Sequence, residues 1–184
     1  KYPVVVLISG SGAQDRNQEI MGHKPFLVIA DYLTRNGIGV LRFDDRGTAE
    51  SGGDFETATT YNFANDVESA VEYLLSRKDV DKKKIGLIGH SEGGIIAPMV
   101  AARNKKVSFI VLLAGTGVRG DELLMMQTRA ISEVMGMPSE VMNQAAKINR
   151  ALYDIILESS KDDNWEESLK AFFDTHTNNS ALEG

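Results

Sequence analysis

The stretch Ile85-Gly86-Leu87-Ile88-Gly89-His90-Ser91-Glu92-Gly93-Gly94-Ile95 decides the fold. Its opening run, Ile85 to Gly89, has the continuous apolar character of a strand buried on both faces of a parallel sheet. From Ile95 to Arg103 the spacing turns helical. Between the two, a serine sits in Gly-x-Ser-x-Gly spacing, flanked by Gly89 and Gly93. A strand that doubles back into a helix through so short a turn crowds its own backbone, and glycine on either side removes the Cβ atoms that would collide. Gly94 then allows a close approach of helix to sheet. The Ser91 hydroxyl is expected to stand above the carboxyl edge of that sheet.

Working outward, the same alternation recurs. Val4 to Ile8 is a second apolar, β-branched run, ending at Ser9-Gly10. Phe26 to Asn36 is helical by its spacing, with Gly37 as C-cap. Gly39 to Phe43 is a strand closed by Asp44-Asp45-Arg46-Gly47, two acids read as strand-end caps, with a polar loop to about Thr60. Phe63, Val67, Ala70, Val71, Leu74 and Leu75 then lie on one helical face, and Val107 to Ala114 is a fourth strand. The order βαβαβαβ calls for right-handed crossovers and a parallel sheet with helices on both faces.

Glycine marks a boundary near residue 117, since 15 of the 17 glycines lie at or before Gly120. Beyond it the pattern is helical only. Val141, Ala145, Ile148, Leu152 and Ile155 form one stripe on a long helix opening at Pro138-Ser139, with further helices over 121–135 and 165–173. Met125, Met126, Met135, Met137 and Met142 are concentrated here. They read either as core gap-fillers or as an adaptable wall for an acyl chain.

The net charge of −6 is carried by this second part: residues 1–114 hold 14 basic and 14 acidic residues, residues 115–184 hold 6 and 12. The only basic cluster, Lys82-Lys83-Lys84, reads as a solvated turn before a strand, and the balance argues against nucleic acid as a partner. There is no cysteine, hence neither a disulfide framework nor a thiolate metal site. No run approaches the roughly 18 apolar residues of a membrane span. The compartment stays open, because the chain starts at Lys1-Tyr2-Pro3 like an excised piece of a longer protein, and a removed signal peptide would leave the same trace.

The helix N-terminus beneath Ser91 offers unpaired N–H groups where negative charge could develop, the Glu92 amide among them. A second donor is expected from Ser9-Gly10-Ser11-Gly12-Ala13-Gln14, with Ser11 preferred and Gly12 as the alternative. Gly10-Ser11-Gly12 after a strand also suggests a dinucleotide loop. That pattern fails at its third glycine, where the chain has Asp15.

Taken together, the strand ending in Ser-Gly-Ser-Gly, the pair Asp15-Arg16, the run Leu41-Arg42-Phe43-Asp44-Asp45-Arg46-Gly47 with Gly52 downstream, and Gly89-His90-Ser91-Glu92-Gly93-Gly94 resemble bacterial α/β-hydrolases of the serine carboxylesterase and serine aminopeptidase-like group. The resemblance covers residues 3–117. It implies an α/β-hydrolase core over 1–117, a helical cap over 118–184, and acyl-enzyme chemistry on Ser91 through a Ser-Asp-His triad, without cofactor or metal. The substrate class would be small carboxylic esters, with thioester, acyl-transfer or peptide chemistry on the same strand–serine–helix turn, or elbow, as alternatives. A non-catalytic binding protein that keeps the fold is the reading from another class.

In that family the acid and the histidine follow the serine. Only His176 does so here, and its polar surroundings read as a solvated loop. His23 lies upstream, near the first helix, and His90 packs beside the serine. Asp121 is the one downstream acid near a strand end. The economical expectation is that the acid, the histidine and the last sheet strands follow Gly184. The fourth strand would then keep an open edge, through which residues 1–184 could self-associate.

Overall fold

The computed structural model describes residues 1–159 and 165–180, with side chains as far as 158 and from 165 to 175. Lys1–Gly117 and Val118–Gly184 form two compact units. In the first, the strands β1 (Tyr2–Ile8), β2 (Gly39–Leu41), β3 (Val80–His90) and β4 (Val107–Leu113) alternate with the helices α1 (Pro25–Arg35), α2 (Thr60–Ser76) and α3 (Gly93–Arg103). All strand pairs are parallel, in the order β2-β1-β3-β4. The long apolar strands β1 and β3 are therefore central, as runs buried on both faces must be.

Side chains alternate across β1 and feed two cores. Val4, Val6 and Ile8 meet Val67 and Val71 of α2 and Ile96, Ala97 and Val100 of α3 on one face. On the other, Val5 and Leu7 meet Phe26 of α1 and Ile88 of β3. Each fully buried side chain of this kind contributes about 1.5–3 kcal/mol, so the sheet between these layers is a rigid base for whatever projects from its carboxyl edge. α1 ends as its sequence implies. Gly37 takes φ +81°, its N–H donates to Thr34 O and that of Ile38 to Leu33 O.

Two strand limits differ from the sequence reading. β2 stops at Leu41, short of Phe43. β3 starts at Val80, because Tyr2 pairs with Val80 and draws the strand back beyond its apolar stretch. Lys82, Lys83 and Lys84 are thus exposed residues inside a strand, and not in a turn before it. Gly86 lies under the Phe109 ring, where any Cβ would overlap it. Among the described residues β4 pairs only with β3, and Phe109, Val111 and Leu112 remain 41–45% exposed.

The second unit consists of α4 (Gly120–Val134), α5 (Ser139–Ser159) and α6 (Trp165–Ser180). Gly136 at φ +73° turns the chain between α4 and α5. Asp121, in the first turn of α4, is buried and held by Arg119 at 2.5 Å and by Arg150 of α5 at 2.7 Å. It is thus a structural ion pair of the helical unit and no free acid. Met125, Met126 and Met142 do not close the space between α4 and α5. With Ala145, Ala146 and Arg129 they line a cavity of about 200 Å³. α6 runs to Ser180, so residue 176, expected in a loop, is helical; its side chain lies outside the described residues. Among the described residues no helix is long and apolar enough to cross a membrane.

Candidate active site

Ser91 stands between the last residue of β3, His90, and the first of α3, Gly93, with φ +53°. A non-glycine residue in the left-handed region costs roughly 1–2 kcal/mol, and here the surroundings hold it. The Ser91 N–H donates to Leu113 O of β4 at 3.0 Å, and Ser91 O accepts from the Gly94 N–H at 2.8 Å. The glycines do what their positions suggest. A Cβ on Gly89 would overlap the Gly93 carbonyl, and one on Gly93 would overlap Ile8 O. A Cβ on Gly94 would come within 2.6 Å of Gly115 Cα.

None of the described hydrogen bonds engages Ser91 Oγ or the Glu92 amide, which lies at the N-terminus of α3. The Glu92 carboxylate turns away and accepts from Thr60 Oγ1 at 2.8 Å. Gly10 faces the elbow closely, since a Cβ there would stand 3.1 Å from Ser91 Cβ and 3.2 Å from His90 Nδ1. Beyond it Ser11, Gly12 and Ala13 are exposed, and Gly12 takes φ +92°. The elbow and the β1–α1 loop are thus neighbours. The amides of Ser11 and Gly12 are likewise engaged by none of the described hydrogen bonds.

What anchors this loop was not legible in the sequence beyond two acids closing a strand. Asp44 accepts from the Arg16 backbone N–H at 2.7 Å, from Arg16 Nε at 2.9 Å and from Arg16 Nη2 at 2.5 Å. The Arg16 guanidinium, with the backbone donors of Arg16 and Glu50, holds the Asp44 carboxyl well below the usual carboxylate range despite its burial. A depressed pKa stabilises the fold above the unfolded carboxyl's value of 3.8, and this stabilisation is lost as pH falls from there through the folded value. Asp44→Asn in the full-length protein is therefore expected to lower stability at neutral pH, by about 1 kcal/mol with Arg16 half-exposed. Thermal unfolding of both proteins across pH checks this: the gap should be constant at neutral pH and close only below 3.8.

Asp45 is buried beside it, with Oδ1 accepting from Ser9 Oγ at 2.7 Å and Oδ2 from the Gln14 N–H at 3.0 Å. Burial pushes its carboxyl up against these two donors, and Glu92 and Asp66 push the same way. Gln18, buried at φ +51°, brings its Nε2 within 2.6 Å of His90 Nδ1. That contact occupies one ring nitrogen, Nδ1, of the histidine next to the serine. His23 is exposed on the turn before α1, where its backbone pairs with Ile20. The described residues thus bring the serine and the helix start at Glu92 next to Gly10, at the base of the Ser11–Gly12 loop, and join no imidazole to Ser91 by a hydrogen bond.

The family model described as serine aminopeptidase, S33, matches residues 24–178. The esterase EstD of Thermotoga maritima is 31% identical over 152 residues, which is 81% of this chain and 36% of EstD. Among solved structures, the α/β-hydrolase GrgF from Penicillium sp. sh18 superposes with a TM-score of 0.53 at 20% identity, over 83% of this chain and 58% of its own. Est1E from Butyrivibrio proteoclasticus, solved with ferulic acid bound, gives 0.50 at 25% identity, over 58% of this chain and 40% of its own. The chain spans about a third of the length of EstD.

Proposed function

The chain belongs to the α/β-hydrolases of the serine aminopeptidase S33 family, and on that premise we propose that the full-length protein is a serine hydrolase cleaving carboxylic esters through an acyl-enzyme on Ser91. The observation that carries this reading is the strained turn itself. Ser91 at φ +53° between β3 and α3, with an uncommitted hydroxyl over a helix N-terminus, has no structural task that explains the strain. In the proposed reaction Ser91 Oγ attacks the carbonyl carbon and its proton passes to a histidine. The Glu92 N–H and one of the Ser11 or Gly12 N–H groups donate to the oxyanion. Collapse expels the alcohol with that proton, and water releases the acid in the same manner. The histidine and its acid partner are assigned to sequence outside residues 1–184, in keeping with the share of EstD that this chain spans. Residues 118–184 are assigned as a helical cap, whose methionines supply adaptable apolar surface.

Esters are favoured as substrates by the names of EstD and of Est1E with its ferulic acid. The family description favours a second reading, peptide hydrolysis from the amino end. Rates of the full-length protein on a p-nitrophenyl ester and on an aminoacyl p-nitroanilide separate the two. Turnover of the ester alone is expected, and turnover of the anilide alone would replace the first reading by the second.

The loop makes its own prediction. Gly12→Val places a β-branched residue at φ +92° and should displace the oxyanion donor. The expected result is a fall in kcat of about 100-fold with KM changed only a few-fold, since a lost donor costs roughly 3 kcal/mol in the transition state alone. Equal changes in both constants would mean that the loop only shapes the pocket. We also propose that residues 1–184 by themselves self-associate through the outer edge of β4. Light scattering on that piece is expected to show an oligomer, and a monodisperse monomer would refute it.

A further inference from the structure

We propose that Asp45 is a positioning residue for the reaction: its side chain clamps both ends of the Gly10–Ala13 loop and thereby holds the oxyanion donors at the elbow. This rests on the reading of that loop as an oxyanion site. Ser9 and Gln14 flank the loop, and one carboxylate takes a donor from each, Ser9 Oγ on Oδ1 and the Gln14 N–H on Oδ2. The clamp is reciprocal, because the Asp45 N–H donates to Gln14 O at 3.0 Å. Inside the loop the one described restraint is an exposed hydrogen bond from Gln14 Nε2 to Ser11 O. The tip, with Gly12 at φ +92°, has little of its own to fix it.

Asp44 and Asp45 divide the work. Asp44 is neutralised by Arg16 and anchors the chain past the loop. Asp45 is 6% exposed and has no ion-pair partner among the described residues. A buried carboxylate without a counter-ion is costly, and both of its oxygens are given to the loop. Nothing in the core requires that cost, so the loop's position accounts for it. Because burial raises this carboxyl, its neutral form is also informative. A neutral acid or amide can accept from the Gln14 N–H with its carbonyl oxygen and donate to Ser9 Oγ, since a hydroxyl serves in either role. The clamp depends on shape and donor count more than on charge.

The test uses the full-length protein with Asp45→Ala, Asp45→Asn and Ser9→Ala, reading kcat and KM on a p-nitrophenyl ester together with hydrogen exchange at the one loop amide that Asp45 holds, the Gln14 N–H. Asp45→Ala is expected to lower kcat about 10- to 100-fold at nearly constant KM and to speed exchange of the Gln14 N–H, which donates to Asp45 Oδ2, at least about tenfold. Asp45→Asn should recover most of both losses, and Ser9→Ala, losing one arm, should fall between. If Asp45→Ala does not fold, Ser9→Ala decides, and wild-type kcat with wild-type exchange there would overturn the proposal. So would full activity in Asp45→Ala, a loss of kcat without faster loop exchange, or an Asp45→Asn as poor as the alanine. A wild-type protein that turns over no ester would instead overturn the parent reading. Loop exchange in Asp45→Ala would still report whether the clamp exists.

Discussion

Ser91→Ala in the full-length protein is expected to abolish hydrolysis of a short p-nitrophenyl ester, with kcat/KM falling by at least about 10³-fold, while thermal stability should stay within about 0.5 kcal/mol of the wild type. A large effect on rate is expected because, in the proposed reaction, Ser91 Oγ is the atom that forms the new bond, and the oxyanion donors would act only on charge that this attack creates. The small effect on stability follows from the way the turn is built. Its course is set by Gly89, Gly93 and Gly94, whose missing Cβ atoms leave room for the backbone, and by the hydrogen bonds of Ser91's own N–H and C=O, which alanine retains. No described hydrogen bond of Ser91 Oγ is lost. Rate and unfolding measured on the same preparation check both halves. Retention of more than a few per cent of the rate would remove Ser91 as nucleophile.

The opposite profile is expected at Gly89. A methyl group there would overlap the Gly93 carbonyl oxygen, and both atoms belong to backbone locked between β3 and α3. No flexible side chain can move aside, so Gly89→Ala must shift the helix start against the sheet. We expect a loss of roughly 3 kcal/mol or more, at the upper end of overpacking costs, and with it the loss of the serine's geometry. Gly52→Ala is the control. Gly52 has nothing within 4 Å of an added Cβ and no left-handed φ, so a change within about 0.5 kcal/mol is expected. Denaturant unfolding of the two variants tests the contrast, and equal stabilities would show that the elbow is looser than its contacts imply.

These two residues also mark what could be read from the chain before its structure. The turn at Ser91 was legible because its cause is local: a buried strand, the two residues Ser91-Glu92 and a helix are contiguous, and the steric demand falls on neighbours. β1 was legible for the same reason, its apolar run being long enough to require burial on both faces. β3 was legible only from Ile85 onward. Its first residues are strand because Tyr2 pairs with Val80, a contact between residues far apart that leaves no period in Lys82-Lys83-Lys84. The role of Asp45 was hidden in the same way. Its partners Ser9 and Gln14 lie 36 and 31 positions away, and an acid at a strand end looks like a cap until the loop is seen folded onto it. Asp121 looked like a possible acid by its place after β4. Arg150, which helps hold it in an ion-pair cluster, comes from α5, 29 positions away and outside any local pattern. His176 lacked an apolar stripe around it, and its helix is set by the length of α6.

The central claim is that Ser91 is an activated nucleophile. It is tested most directly by treating the full-length protein with a fluorophosphonate and mapping the adduct by peptide mass spectrometry. An active serine reacts because its base and oxyanion donors serve the phosphonyl centre as they serve a carbonyl. The account predicts one phosphonyl group per chain, on the peptide that contains Ser91, and none in Ser91→Ala. An unlabelled wild type, or an adduct on a different residue, would contradict it.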